Sequence, residues 1–436
     1  MTSAIATTPA QAVVPARRER LSPRGLVPYG LFGAPLAMAA LPLYVHVPQL
    51  YGAHFGLDLA TLGVLLLALR LADALADPLL GAWSDRLRDR RVAIAYAAAV
   101  LALGMVAVLS PAVRGEGPLL AWLGVSLALV YLAFSVATIN HNAWGAELSD
   151  DPVERTRITA TREGLALAGV VVASIAPGLL ADDAARGLAR FGVAFAAVTA
   201  VALAVLLAAP RPPRRPAPGD ALLARTLVPL RDPAFRRLLA AFVGNGIAAA
   251  IPATLVLLYV ADVLDASSRQ GLFLALYFVA GAAGMPLWIR LAARVGIVRA
   301  WMLAMALAVA GFVGASALGA GDVAAFGAIC VASGLALGGD LALPPALLAG
   351  VIARRAGERD TGAYFGVWTL ATKLNLALAA GIALPLLGAL GYEPGTRSPE
   401  GLRALALVYA GVPCALKLAA IVLLARFDRL QRNAPS

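Results

Sequence analysis

Residues 70–91 read RLADALADPLLGAWSDRLRDRR, and the environments that can hold such a stretch decide the fold. Arg70, Asp73 and Asp77 are spaced i, i+3, i+7, so a helix gathers all three on one face. They extend an apolar run that begins near Leu59, and the whole is long enough to cross a bilayer. A charge at the bilayer centre costs about 2.5–3.5 kcal/mol on insertion scales, and two carboxylates one turn apart repel each other. A bound cation, a proton or Arg70 must offset that cost. Pro78 removes a backbone donor just after Asp77 and loosens the local hydrogen bonding. The run leaves the membrane at Asp85 and passes into Arg86, Arg88, Arg90 and Arg91.

Composition agrees with a membrane chain. The sequence is 61% hydrophobic with a mean hydropathy of +0.81, far outside the range of soluble proteins. Its net charge of +11 sits in short loops, so it describes loop topology and argues against a nucleic-acid partner. Cys330 and Cys414 lie in apolar runs and do not form a disulfide framework. Residues 1–25 are polar, carry Arg17, Arg18, Arg20 and Arg24, and lack the pattern of a cleaved signal, so a cytoplasmic N-terminal tail is expected.

Apolar segments recur about twelve times: Leu26–Val47, Leu59–Trp83, Val92–Ser110, Pro118–Ala143, Gly164–Ala181, Leu188–Ala209, Leu238–Val260, Gly271–Ile289, Ala300–Leu318, Ala324–Ile352, Tyr364–Leu390 and Leu402–Ala425. The predicted fold is therefore an all-α membrane protein of twelve transmembrane helices. Alternate loops, together with the two tails, hold about 27 arginines against about 6 in the others, which puts both termini in the cytoplasm of a cell whose plasma (inner) membrane holds the chain. The longest polar gap, rich in Pro and Arg, divides the segments equally. The expected bodies are a tail at 1–25, a six-helix bundle at 26–209, a cytoplasmic linker at 210–233, a second bundle at 234–426 and a tail at 427–436. A weak internal repeat supports two halves: Glu154-Arg155-Thr156 answers to Glu358-Arg359-Asp360, and Asp77-Pro78 to Met285-Pro286.

The pattern Arg70, Asp73, Asp77, Pro78, Gly81, Asp85 resembles the second helix of the glycoside–pentoside–hexuronide cation symporters, a melibiose-permease-like branch of the major facilitator superfamily. The basic loop after it matches that superfamily's G-x-x-x-D-R signature, which implies a gating role for Asp85 and Arg86. The resemblance implies two six-helix halves with a site between them at the bilayer midplane, and a coupling-cation site at Asp73 and Asp77. The bland alternative is a static ion pair of these acids with Arg70.

The same resemblance extends to other helices. In TINHNAWGAELSDDPVERTRITATREG, Asn140 would complete the cation site and Trp144 would stack on the substrate; the alternatives are an interhelical hydrogen bond and an interfacial belt residue. His141 replaces the family's hydrophobe or proline and is either a substrate-cavity residue able to titrate or a packing histidine. Arg162 stands where the family has an arginine that reaches substrate, or else is one more loop arginine. Lys373, one of only two lysines, lies deep in a segment that resembles the family's eleventh helix. By the resemblance it exchanges partners with Asp73 or Asp77 and links cation to substrate binding, against the alternative of a static bridge. Lys417, the other lysine, is expected to be structural. Pro344-Pro345 should bend or break the tenth helix, which suits a gate; Asp340 before them is either a site residue or a helix-end acid. The first helix departs from the family: Gly33-Ala34-Pro35 stands where sugar-binding members carry an acid.

No phosphate-binding loop, nucleophile elbow or zinc spacing is present, so an enzyme is not expected and no cofactor is called for. The expected function is a secondary active transporter, a monomeric symporter coupled to Na+ or H+ that imports a sugar, glycoside or related small solute. The alternative is a proton-coupled exporter of drugs or amphipathic solutes. Its partners are then a small-molecule substrate, a coupling cation and the lipid bilayer.

Overall fold

The computed structural model describes residues 21–181, 183–209, 226, 228–355, 360–392 and 395–432. Most of the N-terminal tail and of the 210–233 linker, Glu358-Arg359 of the repeat, and the last four residues lie outside the described residues.

The described chain forms twelve helical passes. The first, α1, is pieced from Pro23–Leu31, Gly33–Leu41, Pro42–His46, Val47–Gln49 and Leu50–His54. Then come α2 (Leu59–Ser84), α3 (Arg90–Leu109), α4 (Glu116–Glu147), α5 (Pro152–Leu180) and α6 (Ala184–Leu207). The second half holds α7 (Pro233–Leu258, running on as a π-helical turn Tyr259–Val263), α8 (Gln270–Val295), α9 (Ile297–Phe312), α10 (Val323–Arg355) and α11 (Thr361–Ala389). The last pass, α12, joins Pro399–Ala406, Leu407–Gly411 and Val412–Arg432. Ten of the twelve are long and apolar enough to cross a membrane. The other two are α1, which the prolines at 28, 42 and 48 interrupt, and α2, which carries Arg70, Asp73 and Asp77.

Local chemistry starts half of these passes. Asp58, Asp89, Asp151, Asp183 and Asp232 each accept an N–H of the first turn of the helix that follows, and Ser398 does the same for α12. Pro152, Pro233 and Pro399 follow their caps, where a missing N–H costs nothing. Many acids that stud the loops are therefore helix caps.

Each half has an apolar core of its own, and a further core joins Ile139 and Ala143 of α4 to the second half. One apolar core is drawn entirely from α1–α6 and their connections, around Phe32, Leu101, Leu127 and Phe195. Another core joins residues of α7–α12 around Tyr259, Phe326 and Tyr409, whose two tyrosine rings stack at 4.1 Å. Large side chains such as Tyr96, Leu103, Leu179 and Val193 face outward, as lipid-facing residues do. The halves meet through α2 and α4 against α11, and through α5 against α8 and α10, where Ala160 and Leu167 touch Met285 and Ala342.

Around Gly81, Gly362 and Gly366 the α2–α11 contact is backbone on backbone. A β-carbon at Gly81 would overlap the Gly362 carbonyl oxygen, and one at Gly366 would overlap that of Asp77. Prolines do not break α10: it stays helical through Pro344 and Pro345 to Arg355. Neighbouring helices hold the turn whose backbone bonds the prolines remove.

Candidate functional site

Two charged clusters lie along the α2–α11 seam. The deeper one gathers Asp73 and Asp77 of α2, Ser135 of α4 and Lys373 of α11. The Lys373 ammonium lies 2.6 Å from Asp73 Oδ2, 3.0 and 2.8 Å from the two Asp77 oxygens and 2.8 Å from Ser135 Oγ. Ser135 donates in turn to Asp73 Oδ1 at 2.8 Å. Asp77 and Ser135 are fully buried. Asp77 is seven residues from the end of α2, and Lys373 twelve from the start of α11, so the cluster sits about 10–18 Å below that end of the bundle. A buried charge left alone would be costly, and here one ammonium answers two carboxylates.

Lys373, rather than Arg70, bridges the two acids; the Arg70 Nε donates to the Tyr131 hydroxyl at 3.5 Å. Asn140 does not join the acids either. Its amide oxygen accepts from Ser84 at 2.7 Å and faces Arg90, while its nitrogen donates to the Val136 carbonyl. Ser135, five residues earlier, is the α4 side chain that lies beside the acids. Helical spacing explains the exchange, since five residues turn a side chain by about 140°.

The second cluster closes the end of the seam. Arg90 is bound 3.0 Å from both Asp85 and Glu147, and also donates to the hydroxyl of Ser84. Asp85 accepts the backbone N–H groups of Gly362 and Ala363 at 2.6 and 2.8 Å. It thereby caps α11 from the opposite half, where the helix dipole favours a negative charge. Asp85 lies just beyond the end of α2, and burial pushes its carboxyl up to about 6 against the pull of Arg90 and the two N–H groups. The sequence signature marks Asp85 and Arg86 here; Arg90, not Arg86, is the salt-bridge partner of Asp85.

A third set lies between α1, α4 and α5. Arg162 donates to Asn142 Oδ1 at 2.5 Å and pairs with Glu163. Tyr29 and His141 bond reciprocally: the phenol donates to the His141 carbonyl at 3.0 Å, and His141 Nε2 meets the Tyr29 carbonyl at 2.9 Å. Tyr29, Asn142, Arg155, Thr159 and Arg162 line a small cavity that Pro345, Ala349 and Phe365 of the other half cover. Trp144 is fully buried in the core of the first half, edge-on to Tyr29 at 6.4 Å, and is not among the residues lining that cavity.

Lys417 forms a further buried pair within the second half, 2.7 Å from Asp340 and 2.6 Å from Asn245; Trp301 donates to the other oxygen of Asp340.

The family described as MFS/sugar transport protein matches residues 25–429. The chain belongs to it. This MFS transporter is not an enzyme, and its melibiose-permease-like character, first visible in α2, holds. The inner membrane symporter YicJ of Escherichia coli (strain K12) is 26% identical to it over 166 residues, 36% of this chain and 35% of that protein. The match thus spans about a third of the relative's length. Among solved structures, a bacterial homologue of the iron transporter ferroportin in the outward-facing state superposes with a TM-score of 0.71 at 18% identity, covering 94% of this chain and 100% of that one. The E. coli fucose:proton symporter FucP gives 0.70 at 12% identity, covering 93% and 99%. These two likenesses speak to the fold alone.

Proposed function

We propose that this MFS transporter is a cation-coupled symporter that imports a sugar, glycoside or related small polar solute by alternating access. The observation that carries the reading is the cradle of Asp73, Asp77 and Ser135 around the Lys373 ammonium. Three oxygen-bearing side chains from α2 and α4 enclose a cation supplied by the other half. Oxygen donors are what a small hard cation requires, and carboxylates also take up protons. An arriving Na+ or H+ competes with Lys373 for the same oxygens. Releasing Lys373 then changes how the halves hold each other, which links cation binding to solute binding.

In this reading the Asp85 end is cytoplasmic, as the arginine-rich loops on that side support, and both tails lie there. The Arg90–Asp85–Glu147 cluster and the α11 cap keep that end shut while the opposite end admits solute. Arg162 faces the solute path, and His141 stands behind it, packed on Tyr29 and Phe32. Trp144 backs Tyr29, and Asn140 braces Arg90. Pro344 and Pro345 mark the turn at which α10 flexes on opening. The monomer holds the whole path, since both halves of the site come from one chain.

The test can be run before the solute is identified. Thermal unfolding of the purified protein is followed against sodium, with choline as control, and against pH. A ligand at 100 times its dissociation constant stabilises by about 2.7 kcal/mol. A sodium-specific or pH-dependent shift that Asp77→Asn abolishes supports the cradle as the coupling site. A shift that persists in Asp77→Asn overturns it. A pH response without a sodium response favours the proton-coupled exporter.

A further inference from the structure

The first turns of α5 carry an arrangement that the coupling cluster does not use. Arg155, Ile158, Thr159 and Arg162 are spaced i, i+3, i+4, i+7, so one face of the helix presents two guanidinium groups. All four residues line the cavity between the halves. Both arginines are buried, at 4% and 7% exposure, and no acid is among the residues that line the cavity. Arg155 stands three residues into α5 and Phe365 four into α11, against twelve for Lys373. The cavity therefore lies between the coupling cluster and the end that Asp85 closes.

The polar atoms around it are mostly donors. Arg162 gives two bonds to Glu163, at 3.0 and 2.5 Å, and one to Asn142 Oδ1, out of a fork of five N–H groups. Asn142 turns its oxygen to that fork, and its amide nitrogen can only donate. Arg155 donates to the Ser149 carbonyl and to Asp150, whose side chain is 63% exposed. Water screens that acid, so it offsets little of the charge Arg155 holds inside. The hydroxyls of Tyr29 and Thr159 are given to the carbonyls of His141 and Arg155. Size narrows the occupant further. The space is that of one water molecule, too small for a sugar or a phosphate.

We propose that this cavity is a halide site, in which Arg155, Arg162 and the Asn142 amide hold a chloride ion that clasps the halves together at the Asp85 end. A halide is close to water in size, carries one negative charge and only accepts hydrogen bonds. Pro345, Ala349 and Phe365 of the second half cover it, so the ion touches both halves only while that end is shut. Closing the end takes two guanidinium groups out of water, and an anion enclosed with them offsets the cost. The site stands apart from the symporter reading, because Asp73, Asp77 and Lys373 do not line it.

The experiment uses the full chain in lipid nanodiscs. Thermal unfolding is followed in sodium chloride against sodium gluconate, at constant sodium, ionic strength and pH. Gluconate is too bulky for the cavity. Chloride and bromide should raise the wild-type melting temperature saturably, by about 2–4 °C. Sulfate, which stabilises proteins generally by exclusion from their surface, should act equally on every variant. Asn142→Asp places a carboxylate beside Arg162 and supplies the negative charge from the chain itself. In gluconate it should melt as high as wild type does in chloride, and chloride should add nothing. Arg155→Gln should raise the chloride midpoint at least tenfold. Crystals grown in bromide should show an anomalous peak beside Arg162. The proposal is overturned if wild type melts alike in chloride and gluconate, if either variant keeps the full chloride response, or if no bromide lies beside Arg162. A protein that responds to chloride in this way but not to sodium or pH keeps this site and loses the symporter reading alone.

Discussion

The Asp85 carboxylate accepts the backbone N–H of Gly362 at 2.6 Å across 277 residues of sequence. One side chain thus satisfies the exposed start of a helix in the opposite half, and parting the halves leaves both unpartnered. Burial holds this carboxyl near 6, above the ordinary 3.8. An acid whose pKa is raised in the closed form favours that form fully below about 4 and loses the contribution as pH rises through 6. Closure at this end should therefore weaken between pH 4 and 6, and Asp85→Asn should flatten the dependence. Maleimide labelling of a cysteine placed at Ala349, which lines the cavity behind the seal, measures it. Labelling that is equally pH-dependent in Asp85→Asn would sink the assignment.

Gly81→Ala should hold this end open. Its new methyl group meets the Gly362 carbonyl, which is backbone and cannot step aside. Labelling at Ala349→Cys should rise several-fold and concentrative uptake should fall at least tenfold. Gly63→Ala on the same helix is the control, since nothing lies within 4 Å of its β-carbon. Equal behaviour of the two variants would show that the seam tolerates the methyl group.

Lys373→Ala leaves Asp73 and Asp77 facing each other in a buried site. Breaking a buried pair costs about 3–5 kcal/mol. The loss should be largest at neutral pH without sodium, and adding the coupling cation or lowering pH should recover much of it. Solute accumulation should disappear because the link between the halves is gone. A variant with wild-type stability in every buffer argues that the acids carry no unbalanced charge.

Lys417→Met should cost a similar amount for a different reason. Lys417 answers Asp340 inside one half, away from the seam. Asp340→Asn in the same protein should restore most of the stability, and the cation response should not change in either variant. A changed cation response would draw Lys417 into the coupling cycle.

Much of this site is legible in α2 and α11. A charge inside an apolar run is visible in sequence because so few residues compete to explain it, and both Asp77 and Lys373 stand out for that reason. Ser135 does not. Hydroxyl residues are common in membrane helices, and only a three-dimensional count of partners separates Ser135, bound to an ammonium, from a residue bonded to its own backbone. Helix phase turns Asn140 away from the acids: the family pattern places it near them, but its side chain faces Ser84 and Arg90. The resemblance makes Trp144 a surface for substrate, yet a ring so large gains most from full burial, and the core of the first half takes it. Arg90 is hidden among four arginines within six residues, and nothing in their order tells which will fold inward.

The glycine seam between α2 and α11 has a kinetic consequence. Where the two helices meet through their glycines there are almost no side chains to freeze when they join or to release when they part. The conformational entropy that usually slows the making and breaking of a packed interface is nearly absent at this contact. The hold of the closed end is left to a few directional bonds at its rim, so its lifetime can be set by Asp85 and Arg90 without the seam itself resisting each turnover.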